Sequence, residues 1–135
     1  AAYQQLGFKI VVDPSVNYSG YFDARSRSIT MKQIDDSVYH ELGHFLAFIA
    51  GNVDKTASFQ SIFAAEKANV TAFNKAYVTQ NASEYFAESV KDYILNNASL
   101  KSTRPQTYAA VQNALNQITD AQIAKIQKIY GAFWN

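Results

Sequence analysis

DDSVYHELGHFLAFIAGN, residues 35–52, is where the pattern of the chain changes. Before it apolar residues alternate with polar ones; from it onward they recur every three or four positions. Asp35, Asp36 and Ser37 form a helix-start cluster, with acidic side chains where the helix macrodipole favours them. Val38, Leu42, Phe45, Leu46 and Ile49 then fall at helical spacing, and Gly51-Asn52 is a stop signal. The stretch predicts an amphipathic helix that follows a strand-forming portion, about residues 1–33, and opens a helical portion, about residues 35–135.

In the first portion, Phe8, Ile10 and Val12 alternate through FKIVVD, which Asp13-Pro14 ends. YSGYFD (residues 18–23) and RSITM (residues 27–31) follow, the second alternating Ile29 and Met31 with polar neighbours, and the short polar link between them suits a hairpin. In the second portion, Phe59, Ile62 and Phe63 suggest one helix. Another starts at Ser83 and carries Phe86, Val90, Tyr93 and Ile94 on one stripe. Pro105 suits a first helical turn, after which Tyr108, Val111, Leu115 and Ile118 fall three or four apart. Thr119-Asp120-Ala121-Gln122 reads as a capping box opening a last helix that uses Ile123, Ile126, Tyr130 and Phe133. No repeat, low-complexity tract or linker interrupts the chain. The expectation is one α+β domain over residues 1–135, a small antiparallel or mixed sheet followed by helices.

Composition narrows the function. A net charge of +1, with 12 Lys and Arg scattered along 135 residues, gives no basic groove for nucleic acid. No apolar run reaches about 18 residues, so no membrane span is expected. The opening AAYQQLGF carries neither the charged start nor the apolar core of a signal peptide. Without cysteine, a metal would have to be held by His, Asp or Glu. Four Asn-x-Ser/Thr sequons, at Asn17, Asn69, Asn81 and Asn97, matter only in a eukaryotic secretory pathway.

The chemistry is concentrated in HELGH, residues 40–44. His40 and His44 are four apart, so both imidazoles leave one face of the helix and can reach a single ion at Zn–N distances of about 2.0–2.1 Å. The apolar stripe points largely elsewhere. Glu41 is rotated by about a quarter turn from His40 and reaches a water on the ion without ligating it, the position of a general base. HExxH arises by chance in unrelated helices, but here it uses both histidines of the chain.

A catalytic zinc needs a third protein ligand and one open position. No further His or Cys exists, so the ligand must be a carboxylate. Of the four glutamates, Glu84 and Glu88 lie one helical turn apart in SEYFAES, opposite the Phe86 and Val90 stripe. Glu84 as ligand with Glu88 accepting from a ligand histidine is a coherent division of roles. Spacing alone leaves the reverse assignment open. Glu66, beside Lys67, is expected to be solvated.

YHELGHFLAFIAGN, KTASFQSIFAAEK, Tyr77, SEYFAES and LKSTRPQTY, in this order and spacing from about Val38 to Tyr108, resemble the catalytic domain of the anthrax lethal factor-like metallopeptidases. That family includes the secreted Pro-Pro endopeptidases of Gram-positive bacteria. The resemblance implies a zincin-like fold and a zinc endopeptidase with His40, His44 and Glu84 as ligands, Glu41 as general base and Glu88 behind a ligand histidine. It also implies that Tyr77, seven residues before Glu84, stabilises the oxyanion. A secreted or cell-surface bacterial protein, acting as a monomer on protein or peptide substrates, follows from the same likeness. Two departures separate the chain from the Pro-Pro endopeptidases: residues 20–33 are short for their cleft-shaping loop, and Ser83 stands where they often carry an acid. The resemblance therefore implies the reaction and not the Pro-Pro preference.

An extended substrate would pair with a strand edge, at Tyr18–Asp23 or Arg27–Met31. Two rival readings exist. YHELGHFL also resembles the helix of intracellular proteases that cleave phage repressors, and a lethal factor-like fold can serve as a non-catalytic binding module. Tyr77 and the PQTY segment weigh against the first; retention of Glu41 weighs against the second.

Overall fold

The computed structural model describes residues 2–134. A short helix α1 (Ala2–Gln5) leads into β1 (Lys9–Val12), β2 (Gly20–Asp23) and β3 (Ser28–Met31). These form a mixed sheet of order β1-β3-β2, with β1 parallel and β2 antiparallel to β3. The β2–β3 link is the expected hairpin. Asp23 accepts from the Arg25 and Ser26 backbone N–H groups, and Arg27 takes a left-handed φ of 54° to re-enter the sheet.

The helical portion comprises α2 (Ser37–Ile49), α3 (Ala57–Glu66), α4 (Lys75–Val78), α5 (Ala82–Leu95), α6 (Asn97–Thr103), α7 (Pro105–Asn116) and α8 (Asp120–Trp134). The chain is thus α+β with a helical C-terminal half. Among the described residues no helix is long and apolar enough to cross a membrane. Asp35, two residues before α2, accepts from Ser37 N–H at 3.0 Å and so satisfies a free donor of its first turn. At the other end Gly51 and Asn52 both take positive φ, and Asn52 N–H returns to the Ala47 carbonyl at 2.8 Å, a Schellman closure.

α2 lies between the sheet and α5, and α2 against α5 is the most extensive contact between elements. This enclosure buries α2 on more than its expected stripe. His40, Glu41 and Gly43 are buried, whereas Val38 and Leu42 are only half-buried. The closest point is Gly43: a Cβ there would lie 2.6 Å from the Ala87 carbonyl oxygen and 2.7 Å from its Cα. Two helices approach this closely only where one lacks a side chain.

Several sequence expectations shift. Phe8 is buried, but Ile10 and Val12 are exposed, because β1 is an edge strand beyond the cover of the helices. The buried face of α5 is centred on Ala82, Tyr85, Phe86 and Val90, leaving Ile94 exposed. On α7 the buried residues are Thr107, Val111 and Ala114 rather than Leu115, and Phe133 at the end of α8 is 73% exposed. The capping box before α8 is half formed. Thr119 Oγ1 accepts from Gln122 N–H, while the Gln122 side chain donates instead to the Ile49 carbonyl at 2.7 Å, satisfying the end of α2.

Glu66 is the plainest correction. It is 5% exposed and accepts from the Gln106 and Thr107 N–H groups and the Thr107 hydroxyl, capping the N-terminus of α7 from another helix. Thr107 gives its proton to Glu66, so the Tyr85 hydroxyl donates to Thr107 Oγ1 at 2.6 Å. On the same side of α5, the buried Arg104 donates to Ser89 Oγ and Asp92.

The glycines separate space from flexibility. Gly43→Ala is expected to destabilise the protein by about 1–3 kcal/mol, because backbone atoms of α5 cannot move aside as a side chain would. Gly131→Ala, where no atom lies within 4 Å of the added methyl, is expected to stabilise α8 by about 0.5–1 kcal/mol. Urea unfolding of the two variants checks both signs.

Candidate functional site

α2 and α5 face each other with their polar residues opposed. His40 and His44 leave α2 one turn apart, and their rings are 5.0 Å apart, nearly perpendicular. Glu84 enters from the first turn of α5, which Asn81 fixes by accepting from Glu84 N–H at 2.8 Å. One Glu84 oxygen is 3.0 Å from His40 Nε2 and the other is 3.2 Å from His44 Nε2. Ligand atoms about 2.0–2.2 Å from a tetrahedral zinc are about 3.3 Å from one another. Each of the three side chains offers a ligand atom, all within 4.8 Å of one another, so the donor set fits zinc in type and spacing.

Glu88, one turn along α5, faces the other nitrogen, with His40 Nδ1 at 3.7 Å, and its second oxygen is 3.6 Å from Lys91 Nζ. Thus Glu84, and not Glu88, faces both Nε2 atoms. His44 stacks on Phe22, their rings 6.4 Å apart at 19°. Glu41 is buried beside them and lines a cleft of about 330 Å³ with His40, Tyr77, Glu88, Tyr18 and Gly20. Tyr77 belongs to α4, whose first turn closes on the Asn74 carbonyl. It is half exposed, and its ring is 6.4 Å from that of His40.

The cluster governs its own protonation. Burial alone would push the His40 imidazolium down, but hydrogen bonds and charge from Glu84, Glu88 and Glu41 outweigh it and raise the pKa to about 9. Burial likewise opposes ionisation of Glu84, yet the two histidines hold its carboxyl far below the ordinary range. Glu88 is lowered too, burial being overcome by His40 and Lys91. For Glu41 burial prevails and the pKa rises, only partly offset by the histidines. The Tyr77 hydroxyl is raised by burial and then by the Glu84 charge.

The structure brings together His40, His44, Glu41, Glu84, Glu88 and Tyr77. Of the two strand edges considered for substrate, β3 is paired on both sides and has none free. β2 is an edge strand, and Gly20 at its start lines the cleft. Sequence reasoning passed over Gly20, Gly43 and Asp54. Asp54 is buried and accepts from Ser83 Oγ at 2.7 Å, pinning the residue next to Glu84. A carboxylate at position 83 would face Asp54, which gives Ser83 a physical reason. Only Gly43, a residue without a side chain between the two histidines, carried a hint in the sequence.

Residues 17–114 match the family described as Anthrax toxin lethal factor, N- and C-terminal domain, and the chain belongs to that family. The chain is also related to the Pro-Pro endopeptidase of Clostridioides difficile (strain 630), 41% identical over 78 residues, which cover 55% of this chain and 34% of that protein. The chain therefore spans about a third of the relative's length.

The shifted protonation of His40 and Glu84 makes stability depend on pH once metal is chelated. His40, raised from 6.5 to about 9, contributes stability fully present below pH 6.5 and lost as pH rises through about 9. Glu84, lowered from 4.5, contributes stability present above pH 4.5 and lost as pH falls below it. Urea midpoints in chelator are expected to fall below pH 4.5 and to fall again as pH rises through about 9, the second fall being smaller in His40→Ala.

Proposed function

We propose that this member of the lethal factor family is a zinc-dependent endopeptidase with a zincin-like fold, the whole chain forming one domain. The observation that supports it most is the Glu84 carboxylate set against His40 Nε2 at 3.0 Å and His44 Nε2 at 3.2 Å, with Glu41 buried alongside in a cleft. His40, His44 and Glu84 would hold the zinc. When bound, zinc supplies Lewis acidity and makes water a competent nucleophile near neutral pH.

The remaining roles fall to the chain's own groups. Glu41 takes a proton from the attacking water and returns it to the leaving amine, a task that suits a carboxyl whose pKa burial has raised. The Tyr77 hydroxyl donates to the developing oxyanion, and its raised pKa keeps it a donor. The Glu88 carboxylate, 3.7 Å from His40 Nδ1, sets its negative charge against that nitrogen and so favours the ring with Nε2 inward. The substrate is a protein or peptide in extended form, paired along the outer edge of β2. A Pro-Pro preference is not part of the proposal, because Ser83 is turned to Asp54 and the β2–β3 hairpin is short. The protein acts as a monomer, secreted or at the surface of a bacterium.

The purified protein is expected to bind about one zinc and to cleave a peptide library. Glu41→Ala should keep the metal and lose cleavage by at least about 100-fold. An undiminished rate in that variant would sink the mechanism. Tyr77→Phe is expected to lower kcat by about 100-fold with zinc content and Tm unchanged; loss of metal there would assign Tyr77 a structural role instead.

A further inference from the structure

Gly20 stands on β2 opposite Met31, on the sheet face that meets α2. A Cβ at this position would lie 2.9 Å from Glu41 Cγ, 3.0 Å from Glu41 Oε2 and 2.9 Å from Met31 Sδ. Carbon contacts are normally about 3.5–4.0 Å, so the space that a side chain would fill is already taken, chiefly by Glu41. Gly20 is not there for backbone freedom. Its φ lies outside the left-handed region, unlike that of Gly51, whose φ is +75° with open space around it.

We infer that Gly20 is a positioning residue for Glu41: the missing side chain on β2 forms the seat against which the Glu41 carboxylate rests, so the strand that walls the cleft also fixes the proton acceptor. This rests on the reading of Glu41 as general base. Glu41 has three rotatable side-chain bonds and a carboxylate that burial disfavours in its charged form. Position 20 supplies contact along Cγ and Oε2, and Met31, itself buried, closes the seat from β3. Any side chain at position 20 would have to turn Glu41 out of the seat or lift β2 from α2. Either movement displaces the carboxylate relative to His40 and His44, and a shift of about 1 Å in a reacting group is enough to cost about 100-fold in rate.

The test is a double-substitution cycle on the full chain. In chelator, Gly20→Ala is expected to lower Tm by about 5 °C. In the Glu41→Ala background, which removes both Cγ and Oε2, at least about half of that fall should disappear, since residues in direct contact are not additive. Additive losses would overturn the contact. Should Gly20→Ala alone fail to fold, recovery of folding in the double variant supports the inference and failure to recover overturns it.

With zinc, Gly20→Ala is expected to reduce kcat by about 100-fold while KM stays within about twofold and zinc content stays near one per chain. An unchanged kcat in Gly20→Ala, with the wild type active, overturns the positioning role. Wild-type protein that binds zinc but cleaves no peptide overturns the endopeptidase reading itself, and is told apart by the stability cycle, which needs no activity.

Discussion

The contact between Gly43 and the backbone of Ala87 sets the geometry of everything around it. With a Cβ position 2.6 Å from the Ala87 carbonyl oxygen, α2 and α5 are as close as backbones without an intervening side chain permit. Gly43 lies between His40 and His44, and Ala87 lies between Glu84 and Glu88. The helices therefore touch in the middle of the polar cluster, and the reach of two imidazoles to one carboxylate follows from that touch. Were the helices one side chain further apart, Glu84 would span to one histidine or the other, not both.

Close packing carries an electrostatic cost, since His40, Glu41 and Glu88 are all less than a tenth exposed. Burial opposes the charged form of each, and in His40, Glu84 and Glu88 the opposition is overcome by partners placed within 3.0–3.7 Å. Glu41 is the exception: its neighbours only partly offset burial. The same enclosure that holds three groups ionised leaves the fourth ready to accept a proton. Behind α5, a separate network of the buried Glu66, Thr107, Tyr85, Arg104 and Ser89 with the half-buried Asp92 ties that helix to α3 and α7. Among the described residues no buried side-chain polar atom of that network lacks a partner, and none of its members lines the cleft, which is what a rigid support requires.

Local signals in the sequence were legible where local physics decides. The change from alternation to helical spacing, the stop at Gly51-Asn52, the β2–β3 hairpin and the four-residue spacing of the histidines all depend on neighbours in the chain. Glu66 could not be read this way, because its partners Gln106 and Thr107 lie forty residues on and only the packing of α3 against α7 brings them together. Gln122 read as a capping residue and instead serves the Ile49 carbonyl seventy-three residues away. The stripes on α5 and α7 were displaced by a residue or so, and that on α8 holds at Ile123, Ile126 and Tyr130 but stops short of Phe133, because which side of a helix is covered depends on what lies against it. Gly20 is silent in sequence and Gly43 gives only a hint by its place between the histidines: glycine marks an absence of atoms, and its meaning appears only when another element fills the space.

The asymmetry between the two histidines follows from how α5 crosses α2. Glu84 and Glu88 are four apart, so they leave the same face of α5 about one turn from each other. The two carboxylates flank the His40 ring, and one helix thereby meets both nitrogens of one imidazole, Nε2 through Glu84 and Nδ1 through Glu88. His44, one turn further along α2, shares Glu84 but stacks its ring on Phe22 of β2. One imidazole is thus oriented by helix α5 and the other by the sheet. The site depends on both layers of the fold at once, with α2 as the element they share.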